Sequence, residues 1–372
     1  QVYSEMAELK LVREGDTEFF VPADLRLENK GPGRKLRHGF YNPAMEESRD
    51  ISVAVVQVLV NEFDREIDIL DGLASIGARG LRIANEVDGD FNVILNDWNE
   101  KAIEIAKKSI EHNNLSNIET SCEDLNVLLC KERFHYIDID PFGSPVPYIS
   151  IAVRSVLPGG ILAVTATDTA TLCGVYRKTC IRRYGSKPLR TWSMHEIGLR
   201  ILLGHIIREG ARFDRALYPI LSYSRNYYMR AYFKVKKGAK KADELLKNID
   251  TLKTYDFDLK EKEVGPLWTG NLHDKGFLVS LRDVIRKKNF RNKKDIEKLV
   301  DRCLDEIDMP PLFYDIDALA SYFKRSPPKI FRMMKLLEKE GYRVSRTHFR
   351  DTSFKTDAPL DEVIKVFNDL TI

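Results

Sequence analysis

The chain is poor in cysteine. It has five in 372 residues, Cys122, Cys130, Cys173, Cys180 and Cys303, and no two of them form a CxxC pair. That argues against a disulfide framework and against a zinc ribbon, and leaves free thiols in a reducing compartment. No stretch approaches the roughly 20 consecutive apolar residues of a membrane span. The first residues, QVYSEMAELKLVREGD, lack the apolar core of a signal peptide, so an intracellular, cytoplasmic protein is expected. Charge is nearly balanced, with 59 Lys and Arg against 56 Asp and Glu. The basic residues nevertheless come in blocks: Arg182–Arg190, Lys236–Lys241 and Arg286–Lys294. Solvated helix faces explain any one block. Several together, interleaved with aromatics, favour an anionic polymer as partner.

Short apolar strands alternate with helical stretches from about residue 51 to 167. Ile51–Phe63 reads as a helix capped by Asp50. Strands are expected at Ile67–Asp71, Asn92–Asn96, Glu119–Cys122, Phe134–Asp140 and Gly160–Thr167. Helices are expected at Gly77–Val87, Glu100–Asn113 and Pro145–Val156. Such alternation predicts an α/β parallel sheet with helices on both faces. Met194–Ile207 reads as a helix, Pro219–Ser224 and Met229–Val235 as edge strands, and Ala242–Lys253 as a short helix. The non-periodic, Gly- and Pro-bearing Tyr255–Gly270 suggests a boundary, giving domains 1–255 and 256–372. Near the end, two helices (Asp315–Phe323, Lys329–Lys339) precede two short strands (Tyr342–Thr347, Ser353–Thr356). That is either a winged helix or a small α+β packing domain.

Four strand ends carry the chemistry. The first ends at Asp71 in a loop of small residues, Gly72, Ala74, Ser75, Gly77 and Gly80, leading into a helix. Such a loop lets a ligand approach backbone N–H groups at a helix N-terminus. The second ends in Asp97, placed to grip ribose hydroxyls, beside Trp98, which can cover an adenine face. After the third, Glu123 or Asp124 can accept from an adenine amino group. The fourth ends in Asp140-Pro141-Phe142-Gly143, offering a carboxylate for an exocyclic amine and a ring for a base to stack on. Each acid alone could be a helix cap; successive strand ends in register favour a nucleoside site.

These segments resemble the class I (Rossmann-like) S-adenosylmethionine methyltransferases. DPFG resembles the motif of amino methyltransferases. KLRHGFYNPAMEESRDISV (Lys35–Val53), LDGLASIGARGLR, LNDWNEKAI, DIDPFGSPVPYI, TATDTATLCG and HEIGLRILLG are together similar to the tRNA (guanine N2) dimethyltransferases acting at position 26. The resemblance implies S-adenosylmethionine as cofactor, tRNA as substrate and no membrane partner. It places Arg37 on the cofactor carboxylate or the substrate, and Arg79 near the methionine carboxylate. It puts Asp140, with the Pro141 carbonyl, at guanine N2, and has Phe142 and Phe40 sandwiching the flipped base. Relatives with a four-cysteine zinc site differ from this chain, so no metal is expected. Ser75 stands where a glycine is common. Arg286, Lys287, Lys288, Arg291, Lys293 and Lys294 are expected to grip tRNA phosphates, and a monomer is assumed. The competing readings are an amino methyltransferase for DNA adenine N6 or protein glutamine, and a non-catalytic RNA-binding protein of the same fold.

Overall fold

The structure, a computed structural model, describes residues 8–24 and 39–371. Arg37 lies outside the described residues. The chain opens with a hairpin, β1 (Leu9–Glu14) and β2 (Thr17–Pro22), paired antiparallel. Next come α1 (Glu46–Asn61), β3 (Ile67–Asp71), α2 (Ala78–Glu86), β4 (Phe91–Asn96), α3 (Glu100–His112) and β5 (Ile118–Ser121). They are followed by α4 (Leu125–Lys131), β6 (Phe134–Ile139), α5 (Val146–Ser155) and β7 (Val156–Ala166). Strands β3 to β7 fall where the alternation puts them. Helix α1 starts earlier than expected, and Asp50 lies inside it, fully buried, with Arg82 Nη1 2.5 Å away. The α1 stretch Val53–Val60 is buried on nearly all sides, which is why it shows no amphipathic stripe. The expected turn Pro158-Gly159-Gly160 is absorbed into β7. Residues Val156 and Ile161 pair with Phe134 and Tyr136 across a bulge. A side chain at Gly160 would meet the His135 carbonyl at 2.3 Å, so the close approach demands glycine.

The second half contains α6 (Thr169–Leu172), α7 (Arg177–Tyr184), α8 (Met194–Ala211), β8 (Arg215–Arg225), β9 (Tyr228–Lys237) and α9 (Ala239–Leu246). It continues with β10 (Ile249–Tyr255), β11 (Glu261–Trp268), α10 (Lys275–Lys287), α11 (Lys293–Asp305) and β12 (Tyr314–Asp315). It closes with α12 (Ile316–Phe323), α13 (Ile330–Lys339), β13 (Val344–Arg346), β14 (Ser353–Thr356) and α14 (Leu360–Thr371). The helix expected over Ala242–Lys253 stops at Leu246, and Ile249–Tyr255 is a strand paired antiparallel with β11. The supposed boundary segment is therefore the second arm of a hairpin. β-Branched Ile249, Thr251 and Thr254 suit the extended state, and Thr254 is buried.

The main sheet has seven strands in the order β5-β4-β3-β6-β7-β9-β8. The five from β5 to β7 are parallel. From β3 the chain winds outward through β4 and β5, then returns to β6 on the other side of β3. That reversal creates a crevice outside the carboxyl ends of β3 and β6, where open α/β sheets bind ligands.

The chain divides into two compact units by a different rule from a single cut. One comprises the described part of Gln1–Thr167 with Tyr232–Lys237 and Val279–Glu297; the other comprises Asp168–Ala231, Gly238–Leu278 and Lys298–Ile372. In the second unit, β12, β14 and β13 form a small sheet. Around it Ile316, Leu319, Met333, Leu337, Phe354, Val363 and Phe367 form one core. Two helices followed by a hairpin, with a third strand alongside, keep the winged-helix order, and α14 is added to it.

Candidate active site

The strand ends converge at the β3/β6 crevice. Gly72 N–H donates to the Asp138 carbonyl (3.0 Å), and Ala74 N–H to the Asn96 carbonyl (2.8 Å). The loop from β3 to α2 is thus pinned to both neighbouring strands. Asn96, absent from the expected set, ties three strand ends together. Its Nδ2 donates to the Gly72 and Glu123 carbonyls (3.1 Å each), and its Oδ1 accepts from Glu123 N–H (3.2 Å). Ser75 adopts φ +52° and Gly77 φ +84°. The left-handed turn at Ser75 is why glycine suits that position. The serine gains a bond in exchange, since its Oγ accepts from Phe40 N–H at 2.6 Å.

Asp97 is buried and accepts from Ser75 N–H (2.7 Å) and Asn99 N–H (2.9 Å), one on each oxygen. Burial pushes its carboxyl up, and the two N–H groups pull it back. Each oxygen keeps a lone pair for a pair of neighbouring hydroxyls. Trp98 follows at 72% exposure. Asp124 is occupied as the cap of α4, accepting from Asn126 and Val127 N–H. Glu123 pairs with Lys131 at the surface. Tyr148, on α5, was not legible as a site residue. Its hydroxyl is pushed up first by burial, then by the charges of Asp124 and Asp97.

Asp71 points beneath the loop. It is buried and accepts from Gly80 N–H at 2.9 Å. Burial, then Asp138, push its carboxyl upward against Arg79. Arg79 is itself buried and donates to Asp140 (2.5 Å), to Ser52 Oγ (2.6 Å) and to the Ser48 carbonyl (3.2 Å). Its Nε lies 3.7 Å from Asp138. Its guanidinium therefore fixes the one acid of this group that reaches solvent, Asp140, whose side chain is 23% exposed. Pro141 is buried. Gly143, at φ +90°, donates to Thr167 Oγ1 (2.7 Å) and accepts from Thr167 N–H (3.0 Å). That clamp holds Phe142 out at 45% exposure. Phe40 meets Phe142 edge to face, with centroids 4.7 Å apart at 74°. There is no slot between the rings, and a base would stack on the open face of Phe142.

The basic block distributes unevenly. Lys288 is only 13% exposed and donates to Gln57 Oε1 (2.8 Å) and the Glu86 carbonyl, with Asp88 at 3.4 Å. Arg291 pairs with Glu46, Arg286 with Glu297, and Lys293 donates to the Arg286 carbonyl. Lys287 and Lys294 are exposed with no ion pair among the described residues.

One cluster in the second unit has a metal-like composition. His273, Cys303, Glu306 and His348 are buried, with donor atoms within 4.8 Å of one another. Its hydrogen bonds fit a proton network instead. Ser222 N–H donates to His273 Nδ1 and Ser224 N–H to His348 Nε2. Each ring must then carry its proton on the nitrogen facing Glu306, at 2.7 and 2.5 Å. Burial pushes the Cys303 thiol well up, so it is protonated. Lys355 donates to Glu196 at 2.7 Å and lies 3.9 Å from Glu306.

The family model for N2,N2-dimethylguanosine tRNA methyltransferases matches residues 33–368. A protein of Methanosphaera stadtmanae named tRNA (guanine(26)-N(2))-dimethyltransferase is 38% identical, covering 97% of each chain. One of the same name from Methanothermobacter thermautotrophicus is 38% identical, over 95% of this chain and 97% of the relative. The solved structure of Trm1 from Pyrococcus horikoshii with S-adenosyl-L-methionine superposes at a TM-score of 0.85. It is 34% identical, over 96% of this chain and 99% of that one. With small-residue and acidic strand ends converging on one crevice, an Asp-Pro-Phe-Gly loop beside it and this likeness along nearly its whole length, the chain belongs to the N2,N2-dimethylguanosine tRNA methyltransferase family.

Proposed function

We propose that the protein transfers methyl groups from S-adenosylmethionine to the exocyclic N2 of guanine 26 in tRNA, giving N2-methyl- and then N2,N2-dimethylguanosine. The observation that carries this is Asp140, held by Arg79 at the mouth of the crevice next to the exposed ring of Phe142. The crevice fits the cofactor: a small-residue loop, a ribose acid with free lone pairs in Asp97, and an uncovered indole in Trp98. When bound, S-adenosylmethionine supplies an electrophilic methyl group, so the protein's task is chiefly alignment. Asp140 and the Pro141 carbonyl accept from the guanine amino group and favour a pyramidal, nucleophilic nitrogen. The proton can leave after transfer, so no strong base is needed. Phe142 stacks on the extruded guanine and offsets part of the cost of unstacking it. Asp71 and Arg79 act beneath, fixing loop and acid. The absence of a membrane-crossing helix among the described residues and a tRNA substrate support action in the cytoplasm.

The test is direct. Unmodified tRNA transcripts are incubated with labelled cofactor, digested with nuclease and read by mass spectrometry. Dimethylguanosine at position 26 is expected; label in DNA or protein, or on another base, defeats the reading.

Two expectations follow on binding. Asp97→Ala should weaken S-adenosylmethionine binding by about 1.5–3 kcal/mol, as for a lost charge-assisted bond, and unchanged affinity by calorimetry would remove Asp97 from the site. Lys287→Ala with Lys294→Ala should weaken tRNA binding and lower its salt slope by about one to two units. A slope equal to the parent's would mean that these two charges are only solvated.

A further inference from the structure

The second unit carries a cavity of about 420 Å³, lined by Trp192, His195, Asn226, Phe257, Phe349 and Arg350 among others. That volume falls within the range of small-ligand sites and holds a nucleoside with its phosphate. Its walls mix aromatic rings with polar groups, the buried Thr191, Ser224 and Asp315 among them. Trp192 is buried and its Nε1 already donates to the Phe313 carbonyl at 3.0 Å. What it offers the cavity is therefore ring surface and not a donor. Phe349 is held by stacking on Phe313, with centroids 5.2 Å apart.

Phe257 is the unusual member. It is 52% exposed and meets Trp192 edge to face at 6.4 Å. Its exposure is built in. It sits in the turn joining β10 to β11, where Asp256 Oδ1 accepts from Asp258 N–H and Lys260 N–H, and the Asp256 carbonyl accepts from Leu259 N–H. This tight, self-bonded turn fixes a phenyl ring at the cavity, and a partner that stacked on its exposed face would gain by covering it.

The rim supplies both hydrogen-bonding senses and a cation. Asn226 and Asp317 are exposed, and Arg350, half exposed, lies 3.8 Å from Asp315. That aspartate is already engaged by Ala318 N–H and by the Thr352 and Ser353 hydroxyls, so the guanidinium is only partly spent. Immediately before lining residue Thr191 runs the basic block Arg182–Arg190, in which Arg182, Lys187 and Arg190 are exposed. Proposed phosphate contacts on the other unit do not account for this block.

We propose that this cavity receives one unstacked nucleotide of the tRNA, distinct from the guanine that is methylated. Its base stacks on the open face of Phe257, with the Trp192 ring set edge to face beside it, and its phosphate lies on Arg350 and the adjoining basic block. Such a site gives the second unit its own contact with the tRNA, made only by an RNA able to release a nucleotide there. The inference rests on tRNA being the substrate.

Phe257→Ala in the full chain tests it, since an exposed ring can be removed with the fold kept, as circular dichroism would verify. The variant is expected to bind tRNA about 5- to 150-fold more weakly, the range for one lost base stack. S-adenosylmethionine affinity should be unchanged, and Phe257→Tyr should bind as the parent does. Arg350→Ala should lower the salt slope by about one unit. Chemical probing of the parent complex should show a second nucleotide, besides the methylated guanine, that is unstacked and returns to the stack with Phe257→Ala. Parental tRNA affinity in Phe257→Ala, or a free mononucleotide that binds the cavity with no effect on tRNA, overturns the proposal. Failure of the parent itself to bind or methylate tRNA overturns the functional reading beneath it, and that result is separate because it appears before any substitution is made.

Discussion

Asp140→Asn is expected to slow methyl transfer by about 10²–10³-fold, while binding S-adenosylmethionine and tRNA as the parent does. Asparagine keeps the shape and one acceptor oxygen. It removes the charge that stabilises the nitrogen as it gains positive character on accepting the methyl group. Arg79 holds Asp140 at 2.5 Å and is anchored on Ser52 and the Ser48 carbonyl. The carboxylate is therefore pre-oriented before substrate arrives, with little reorganisation left for the reaction. If that is what Arg79 does, Arg79→Lys should lower kcat with little change in KM, since lysine keeps the charge but cannot reach all these partners together. The double variant should then be scarcely worse than Asp140→Asn alone, because the two act as one device. A parental single-turnover rate for Asp140→Asn would reduce the motif to a turn.

The second large effect is on stability. Arg82→Ala should destabilise the fold by roughly 3–5 kcal/mol, the cost of stripping one partner from a buried ionic group. Arg82 is fully buried with Asp50 at 2.5 Å, Glu86 at 2.9 Å and Glu14 at 3.5 Å. Its guanidinium also lies over the Phe290 ring at 5.7 Å. Alanine would leave acids in the interior with no cation in contact except Arg49, which is committed to Glu14 at 2.6 Å. Lys107→Ala, which removes an exposed pair with Glu104, should by contrast leave the midpoint almost where it is. Urea unfolding of the two variants side by side measures the difference, and equal midpoints would refute the argument. The network also sets an acid limit. Burial pushes Glu14 up, but Arg49 and Arg82 outweigh it and hold the carboxyl below its ordinary 4.5. Its contribution is full above that value and is lost as pH falls through the lower folded value.

The placement of Asp97 and Asp140 was legible because strand ends obey local rules: an apolar run, then an acid, then a helix start. The partners of those acids were not. Arg79 belongs to a helix that reads as an ordinary amphipathic one, and nothing in its neighbours announces Asp140, 61 residues away. Asn96 precedes Asp97 and passes for strand, although it wires three loops. Asp50 looks like a cap because it stands before an apolar run; only the fold brings Arg82 to it. The block Arg286–Lys294 looks uniform in sequence, yet Lys288 is half-buried and bonded to Gln57 while Lys287 faces water. Charge in a run says how many cations there are, and packing decides which are left for a ligand.

The division of the chain bears on how the protein is made. The unit that holds the crevice takes pieces from Gln1–Thr167, Tyr232–Lys237 and Val279–Glu297. Phe290, which covers Arg82, and Lys288, which closes the end of α2, come with the last piece. During synthesis the ribosome must therefore deliver nearly three hundred residues before this unit has all its parts. Nascent chains arrested while Val279–Glu297 is still inside the exit tunnel would lack those two residues, and protease pulses on arrested chains should find α1 and α2 cleavable until that segment has emerged.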